Sequence, residues 1–336
     1  MLADHRSLLA ATAVLALAAC VPVPKPGVAP AMQTADTIDA SQTLAARGET
    51  IWPPDQWWRL ASDPQLTALI EEGLANSPQV AIAMARIGRA EAEAQRVGAG
   101  RLPSIGIEGE GGLRRQSGNT GIPAQFLPDG WKDYGQVSLT FGFDLDLWGR
   151  NRAAHAAATS DARAAVVDAA QARLVLSVAI TAAYAELGRY YRERDNAEAA
   201  LANRRAQREL VATRERNGLD NRASLRRADA EVAMAEQVLA AADENIGMRR
   251  NQLAALVGAG PDRGISITRP PLSPSTPAGV PEGVNTDLIG RRPDIVAARE
   301  RVEAAASRIK VARAGFFPSI NLRALIGLQS IGLGNL

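Results

Sequence analysis

The sequence predicts a mixed fold in which very long α-helices are joined to transmembrane β-strands, arranged as a two-fold internal repeat whose second copy is incomplete. Three observations carry this. From about Arg152 to Arg216 there is no proline and a single glycine, Gly188. From Val137 to Leu147 apolar residues alternate with small or polar ones. Two segments repeat one grammar at a constant offset of 215 residues, Pro78 to Pro293 and Pro103 to Pro318 (293 − 78 and 318 − 103).

The repeat organises everything else. Ser77-Pro78-Gln79-Val80 aligns with Arg292-Pro293-Asp294-Ile295, and Gly100-Arg101-Leu102-Pro103-Ser104-Ile105 with Gly315-Phe316-Phe317-Pro318-Ser319-Ile320. In each copy a proline opens a helix in its first turn, where a missing N–H costs nothing. An Ala/Arg/Glu-rich helix of about six turns follows, a second proline stops it, and alternation begins.

In the better strand, Val137, Leu139, Phe141, Phe143, Leu145 and Leu147 are apolar, with Ser138, Thr140, Gly142, Asp144 and Asp146 between them. Eleven residues is about the length of a tilted membrane strand. Ile105 and Ile107, with Glu108 and Glu110, give a weaker first strand, and Trp131, Tyr134 and Trp148 bracket the pair as interfacial aromatics would. On this reading Asp144 and Asp146 share a strand face and point to a barrel lumen. An amphipathic strand of a soluble sandwich has the same period. Gly, Asn119, Pro123 and Pro128 mark 111–133 as a loop.

A continuous helix from Arg152 to Arg216 would be about 98 Å long at 1.5 Å per residue. Leu176, Ile180, Tyr184, Leu187 and Tyr191 form its apolar stripe. Asn217-Gly218-Leu219-Asp220 then stops one helix and starts the next. The return helix carries a heptad of Leu225, Val232, Leu239, Ile246 and Leu253, with Ala228, Ala235 and Ala242 three residues later. A free coiled-coil hairpin in a soluble protein has that pattern too. Prolines from Pro261 to Pro281 make 258–291 a connector.

The 336 residues carry 38 basic and 36 acidic side chains, a formal charge of +2, which gives no reason to invoke nucleic acid. With one cysteine there is no intrachain disulfide. Beyond residue 20 the only histidine is His155, in a helical Ala-His-Ala run, and no phosphate-binding or dinucleotide motif occurs. Glu71-Glu72 is a cheap coincidence. No enzyme, cofactor or metal is expected.

Residues 1–19 read as a signal peptide with Arg6 near its start and a small apolar run from Ser7 to Ala19. Leu17-Ala18-Ala19-Cys20 looks like a lipoprotein cleavage box, in which the Cys20 sulfur takes a diacylglycerol and the new amine is acylated. An ordinary secretory signal with an incidental cysteine is the alternative. Val21, rather than Asp, after the cysteine favours the outer membrane by likeness to lipoprotein sorting. No other stretch is expected to reach the ~20 apolar residues of a membrane helix. Residues 20–50 then hold the acylated Cys20 and a flexible tether, 51–257 the first repeat, 258–291 the connector and 292–336 a partial second repeat.

Taken together these residues resemble the TolC-like outer-membrane factors, in their NodT-type lipoprotein branch. The resemblance spans most of residues 17–336. It rests on Trp57-Trp58, Asp63-Pro64-Gln65-Leu66, Asn76-Ser77-Pro78, Phe143-Asp144-Leu145-Asp146-Leu147-Trp148-Gly149-Arg150, Arg291-Arg292-Pro293-Asp294-Ile295 and Ala312-Arg313-Ala314-Gly315-Phe316-Phe317-Pro318-Ser319-Ile320. One departure is Asn285, where the family usually has proline. The resemblance implies a homotrimer in which each chain gives four strands to a shared β-barrel and long helices to a periplasmic α-barrel. That duct is passive and meets a periplasmic adaptor (membrane fusion protein) and an inner-membrane pump of the resistance-nodulation-division class. It places the turn Asn217, Gly218, Leu219, Asp220, Asn221, Arg222 at the tip that meets the adaptor. Arg204, Arg205, Arg208, Arg214, Arg216, Arg226 and Arg227 near it read equally as a docking surface or a solvated face. The offset would carry a full second copy to about residue 472 (257 + 215). The expectation is that these 336 residues supply three strands rather than four and alone seal no channel. The rival reading is a periplasmic structural lipoprotein whose hairpin docks partners without forming a pore.

Overall fold

A computed structural model of the chain describes residues 54–117, 119, 121, 123–271 and 290–332. The signal peptide, Cys20, the tether, Asn285 and the prolines from Pro274 to Pro281 lie outside the described residues. In chain order the elements are α1 (Pro64–Asn76), α2 (Pro78–Ala99), β1 (Ser104–Arg114), β2 (Lys132–Asp144), α3 (Arg150–Arg216), α4 (Arg222–Leu256), α5 (Pro261–Ile265), α6 (Pro293–Ala314) and β3 (Asn321–Ile331). They fall into two compact units. One holds residues 88–164 and 298–332, the other residues 54–87, 165–271 and 290–297.

The repeat is visible in the elements. Helices α2 and α6 both have 22 residues, begin on the paired prolines Pro78 and Pro293, and end on Ala99 and Ala314 at the same offset. Strands β1 and β3 both have 11 residues. Burial differs: α2 covers Val80 and Ala83, whereas α6 covers Ala297 and Ala304, seven apart, and Ala314. Alanine lets the backbone of a packing neighbour come close at the cost of little buried area.

The strand-bearing unit is an antiparallel sheet in the order β1-β2-β3, so the second copy's strand pairs with the first copy's second strand. The register is unbroken and aligns Ile107, Leu139 and Ile326 across the three strands. The strand reading needs one correction. β2 ends at Asp144, so Leu145 and Leu147 are not part of it. The backbone turns there because Asp146 adopts a left-handed conformation (φ 43°) and the Gly149 N–H bonds back to the Asp146 carbonyl.

The helical unit is built on one core: Trp58, Leu66, Leu69, Ile70, Leu176, Ile180, Tyr184, Leu187, Ile246, Leu253, Val257 and Ile267 all belong to it. Each such side chain contributes about 1.5–3 kcal/mol of burial. The predicted stripe of α3 is the face it buries. Asp63 starts α1, its Oδ1 accepting from the N–H groups of Gln65 (2.9 Å) and Leu66 (3.1 Å), with Pro64 in the first turn. At Gly73 α1 packs directly on α3: a Cβ there would stand 2.6 Å from Ile180 Cδ1.

By length and composition α3 is apolar enough to cross a membrane. That corrects the expectation that no such stretch exists beyond the signal peptide; alanine and valine, rather than large side chains, make up the difference. Its Leu176, Ile180 and Leu187 are nonetheless packed in the core. The connector also holds more structure than its prolines suggest. It forms α5, and Ile267 is 1% exposed. The Thr268 N–H and hydroxyl both donate to Gln65 Oε1, at 2.9 and 2.8 Å.

The heptad of α4 is its covered seam: Leu225, Ala228, Val232, Ala235 and Leu239 are half-buried, and Ala242, Ile246 and Leu253 fully buried. Ion pairs flank it across the hairpin, Arg204–Glu231 (3.1 Å), Arg205–Glu236 (2.7 Å), Arg208–Asp229 (2.9 Å) and Arg194–Asp243 (2.7 Å).

Candidate membrane and docking surfaces

Side chains alternate faces along a strand, and partners in register share a face. One face of the sheet therefore carries Ile105 and Ile107 of β1, Val137, Leu139, Phe141 and Phe143 of β2, and Leu322, Ala324, Ile326 and Leu328 of β3. Leu139 is 43% exposed and Ile326 73% exposed. The other face is mostly polar: it carries Glu108, Glu110, Gln136, Ser138, Thr140, Arg323 and Gln329, with Leu325 and Ile331 of β3 among them, and Ser138 is 2% exposed. A water-soluble sheet buries its apolar face; this one presents it. The mostly polar face is open too, with Glu108, Arg323 and Gln329 exposed, so the two faces differ in character as those of a barrel strand between lipid and a polar interior do.

Aromatics mark the ends. Trp131 precedes β2 and is exposed. At the opposite strand end Trp148 stacks on Phe317 with ring centroids 4.6 Å apart, and its indole N–H donates to the Pro318 carbonyl at 2.8 Å. Tyr134 departs from the bracket expected of it. It lies on the polar face, where its hydroxyl donates to Glu110 Oε1 at 2.6 Å and Arg114 sits over its ring.

The common face expected of Asp144 and Asp146 does not form, because the strand ends between them. Asp146 accepts from the backbone N–H groups of Asn151 (2.8 Å) and Arg152 (3.0 Å), and so caps α3 from just outside it. Burial raises its pKa, but those N–H groups and the Arg152 guanidinium outweigh it and hold the carboxyl below the usual carboxylate value. Asp144 closes β2; its Oδ1 accepts from the Asp146 N–H and its Oδ2 from the Asn151 side-chain amide.

The hairpin turn is closed by its own backbone. Gly218 has φ 72°; its N–H bonds to the Glu215 carbonyl (3.0 Å) and the Leu219 N–H to the Arg214 carbonyl (2.8 Å). This is the paired C-terminal bonding that favours glycine. Asn221 caps α4 through the Ser224 N–H at 3.0 Å, and Asp220 Oδ1 accepts from the Asn221 N–H. The turn presents Leu219, 70% exposed, and Arg222, whose guanidinium lies 4.0 Å from Glu215. Of the surrounding arginines, Arg204, Arg205 and Arg208 are paired across the hairpin, whereas Arg226 and Arg227 are exposed without an ion-pair partner among the described residues.

The histidine and the paired glutamates that the sequence singled out have structural partners. His155 is half-buried against Gly98, with Nδ1 3.4 Å from an Arg101 nitrogen. Glu71 pairs with Arg59, and Glu72 takes Arg263 on both its oxygens. Among the described residues no group of His, Cys, Asp and Glu is placed to hold a metal ion. Cys20, the lipidation candidate, lies outside the described residues.

The family model described as outer membrane efflux protein matches residues 69–259 and 285–335. The fusaric acid resistance protein FusA of Burkholderia cepacia is 35% identical over 307 residues, 87% of this chain and 56% of that protein. The multidrug resistance outer membrane protein MdtP of Escherichia coli K12 is 31% identical over 300 residues, 87% of this chain and 61% of that protein. The chain thus spans 56% to 61% of the length of these two curated relatives. The crystal structure of the outer membrane protein VceC of Vibrio cholerae superimposes with a TM-score of 0.78 at 41% identity, covering 85% of this chain and 67% of that one. The CmeC outer membrane channel of Campylobacter jejuni shares the fold, with a TM-score of 0.77 at 18% identity over 94% of this chain and 67% of that one. The two-faced sheet, the heptad hairpin and the repeat are therefore parts of the α-barrel and β-barrel fold of these channels, and the chain belongs to the outer membrane efflux protein family.

Proposed function

We propose that the chain is a channel subunit of a tripartite efflux pump, a passive exit duct for drugs or other small molecules across the periplasm and outer membrane. The observation that carries this is the exposed apolar face of the sheet, set against a mostly polar one. Rows of Leu, Ile, Val and Phe face outward while Ser138, Thr140, Gln136 and Glu108 face the other way. Strands β1 and β3 each leave one edge unpaired within the described residues. In lipid an unpaired edge costs several kcal/mol per group, so the sheet must be continued by further strands. A homotrimer sharing one barrel meets that need. The turn Asn217–Arg222 docks a periplasmic adaptor, Leu219 and Arg222 being its most exposed apolar and charged groups, and the adaptor joins an inner-membrane pump that supplies the energy. Acylation of Cys20 adds a lipid anchor in the outer membrane; several acyl chains hold far better than one.

Outer-membrane fractionation tests this. The protein should partition with outer-membrane vesicles, give a β-sheet signal there, and migrate differently on detergent gels before and after heating. Recovery in the soluble periplasmic fraction with heat-insensitive migration would sink the proposal. Incorporation of labelled palmitate, lost in a Cys20→Ser variant, tests the anchor separately.

A further inference from the structure

At the strand end where β2 stops and β3 begins lies an open cleft of about 530 Å³. Its walls combine the stacked rings of Trp148 and Phe317 with three cations, Arg152 on α3 and Lys310 and Arg313 on α6. Arg152 is held by Asp146, with Nε 3.4 Å from the carboxylate and Nη2 3.3 Å from the carbonyl, so that charge is balanced and fixed in place. Lys310 and Arg313 are exposed and have no ion-pair partner among the described residues. Three residues apart, they occupy one face of α6, and Phe317 continues it through the turns after Ala314.

The surplus charge lies at a particular level of the sheet. Phe143 pairs with Leu322 at the end of the outward apolar rows. Trp148 follows β2 by four residues, and Phe317 precedes β3 by four. In a membrane strand this is the level of the aromatic girdle, and groups just beyond it meet lipid phosphates. The apolar rows thus end at the level of an aromatic pair and two uncompensated cations.

We propose that this cleft binds the headgroup phosphate of an anionic phospholipid, with its acyl chains lying along the apolar face of β2 and β3. The proposal rests on the reading of the sheet as membrane-embedded. Lys310 and Arg313 supply the charge, Arg152 is a prepositioned donor, and the exposed edges of Trp148 and Phe317 pack against the glycerol region. Aromatic rings and cations together suit a ligand that is apolar at one end and anionic at the other.

The test is native mass spectrometry of the whole protein in mild detergent, with phosphatidylglycerol, phosphatidylethanolamine or inorganic phosphate added. Phosphatidylglycerol should be retained in preference to the zwitterionic lipid. A Lys310→Glu/Arg313→Glu variant should retain it at least about tenfold less well, given the attraction each cation has for an anionic lipid surface. A charge-matched control, Arg86→Glu/Arg89→Glu on the exposed side of α2, should retain it like the parent. Equal retention by parent and Lys310/Arg313 variant, equal retention of the two lipids, or displacement of the lipid by inorganic phosphate at equal concentration would each overturn the proposal. Heat-modifiable migration of the same samples separates the two readings. If it persists while lipid selectivity is absent, the cleft fails and the membrane sheet stands; if it is lost in the parent, the sheet reading itself has failed.

Discussion

The Tyr184 hydroxyl donates to Asp63 Oδ2 at 2.8 Å, joining the residue that starts α1 to the middle of α3 across 121 positions of sequence. Gln65 donates to the same phenol oxygen at 2.9 Å and reaches on to Thr268, so a single polar knot ties three segments over the core. Burial, with the Asp63 bond, pushes the Tyr184 pKa far up, which keeps the hydroxyl a donor. Tyr184→Phe preserves the packing and removes the donor to a buried carboxylate. It should cost about 1–3 kcal/mol in denaturant unfolding, and Leu69→Ala, at a fully buried site, about 2–5 kcal/mol.

Asp146 offers a pH-dependent test. Its folded pKa is depressed, so its contribution is present above the ordinary carboxylate value of about 4 and is lost as pH falls through the folded value. Asp146→Ala should destabilise the start of α3 by about 1–2 kcal/mol at neutral pH. The difference from the parent should shrink below about pH 4. Thermal unfolding of both proteins across that range checks the sign.

Much of this was legible in the sequence because it depends on periodicity. The heptad from Leu225 to Leu253 is the covered seam of α4, the stripe from Leu176 to Leu187 is the core face of α3, and the paired prolines open α2 and α6. What pattern missed depends on single backbone conformations or on long-range partners. Alternation runs through Leu145 and Leu147, yet the left-handed turn at Asp146 ends the strand first. Tyr134 looked interfacial by position, and its parity in the strand puts it on the polar face instead. Nothing local marked Ile267 as core, or Thr268 as a partner of Gln65, whose side chain lies 203 positions away in sequence. The arginines around the tip read as one patch, but Glu231, Glu236 and Asp229 on the return helix claim three of them.

The alanine seam of α4 sets how closely the hairpin packs. Ala242 is 7% exposed, and Ala242→Leu inserts volume where there is none. It should cost about 1–3 kcal/mol, whereas Ala240→Leu on the exposed side should be nearly neutral. Comparing the two melting temperatures separates packing from helix propensity.

At the tip, Gly218 has open space around its missing Cβ, so only its φ of 72° resists substitution. Gly218→Ala should destabilise the turn by about 1 kcal/mol and Gly218→Asn by less. Faster amide hydrogen exchange at Gly218 and Leu219, with the α4 seam unchanged, would report the loosened turn.

The central claim is that the sheet faces lipid on one side and a polar interior on the other. Site-directed spin labels at positions 136 to 141 of β2, measured in outer-membrane vesicles for collision with oxygen and with a water-soluble nickel reagent, test it most directly. The account predicts strict alternation: labels replacing Val137, Leu139 and Phe141 are oxygen-accessible and shielded from nickel, and labels replacing Gln136, Ser138 and Thr140 show the reverse. Uniform accessibility to the water-soluble reagent along all six positions would contradict it.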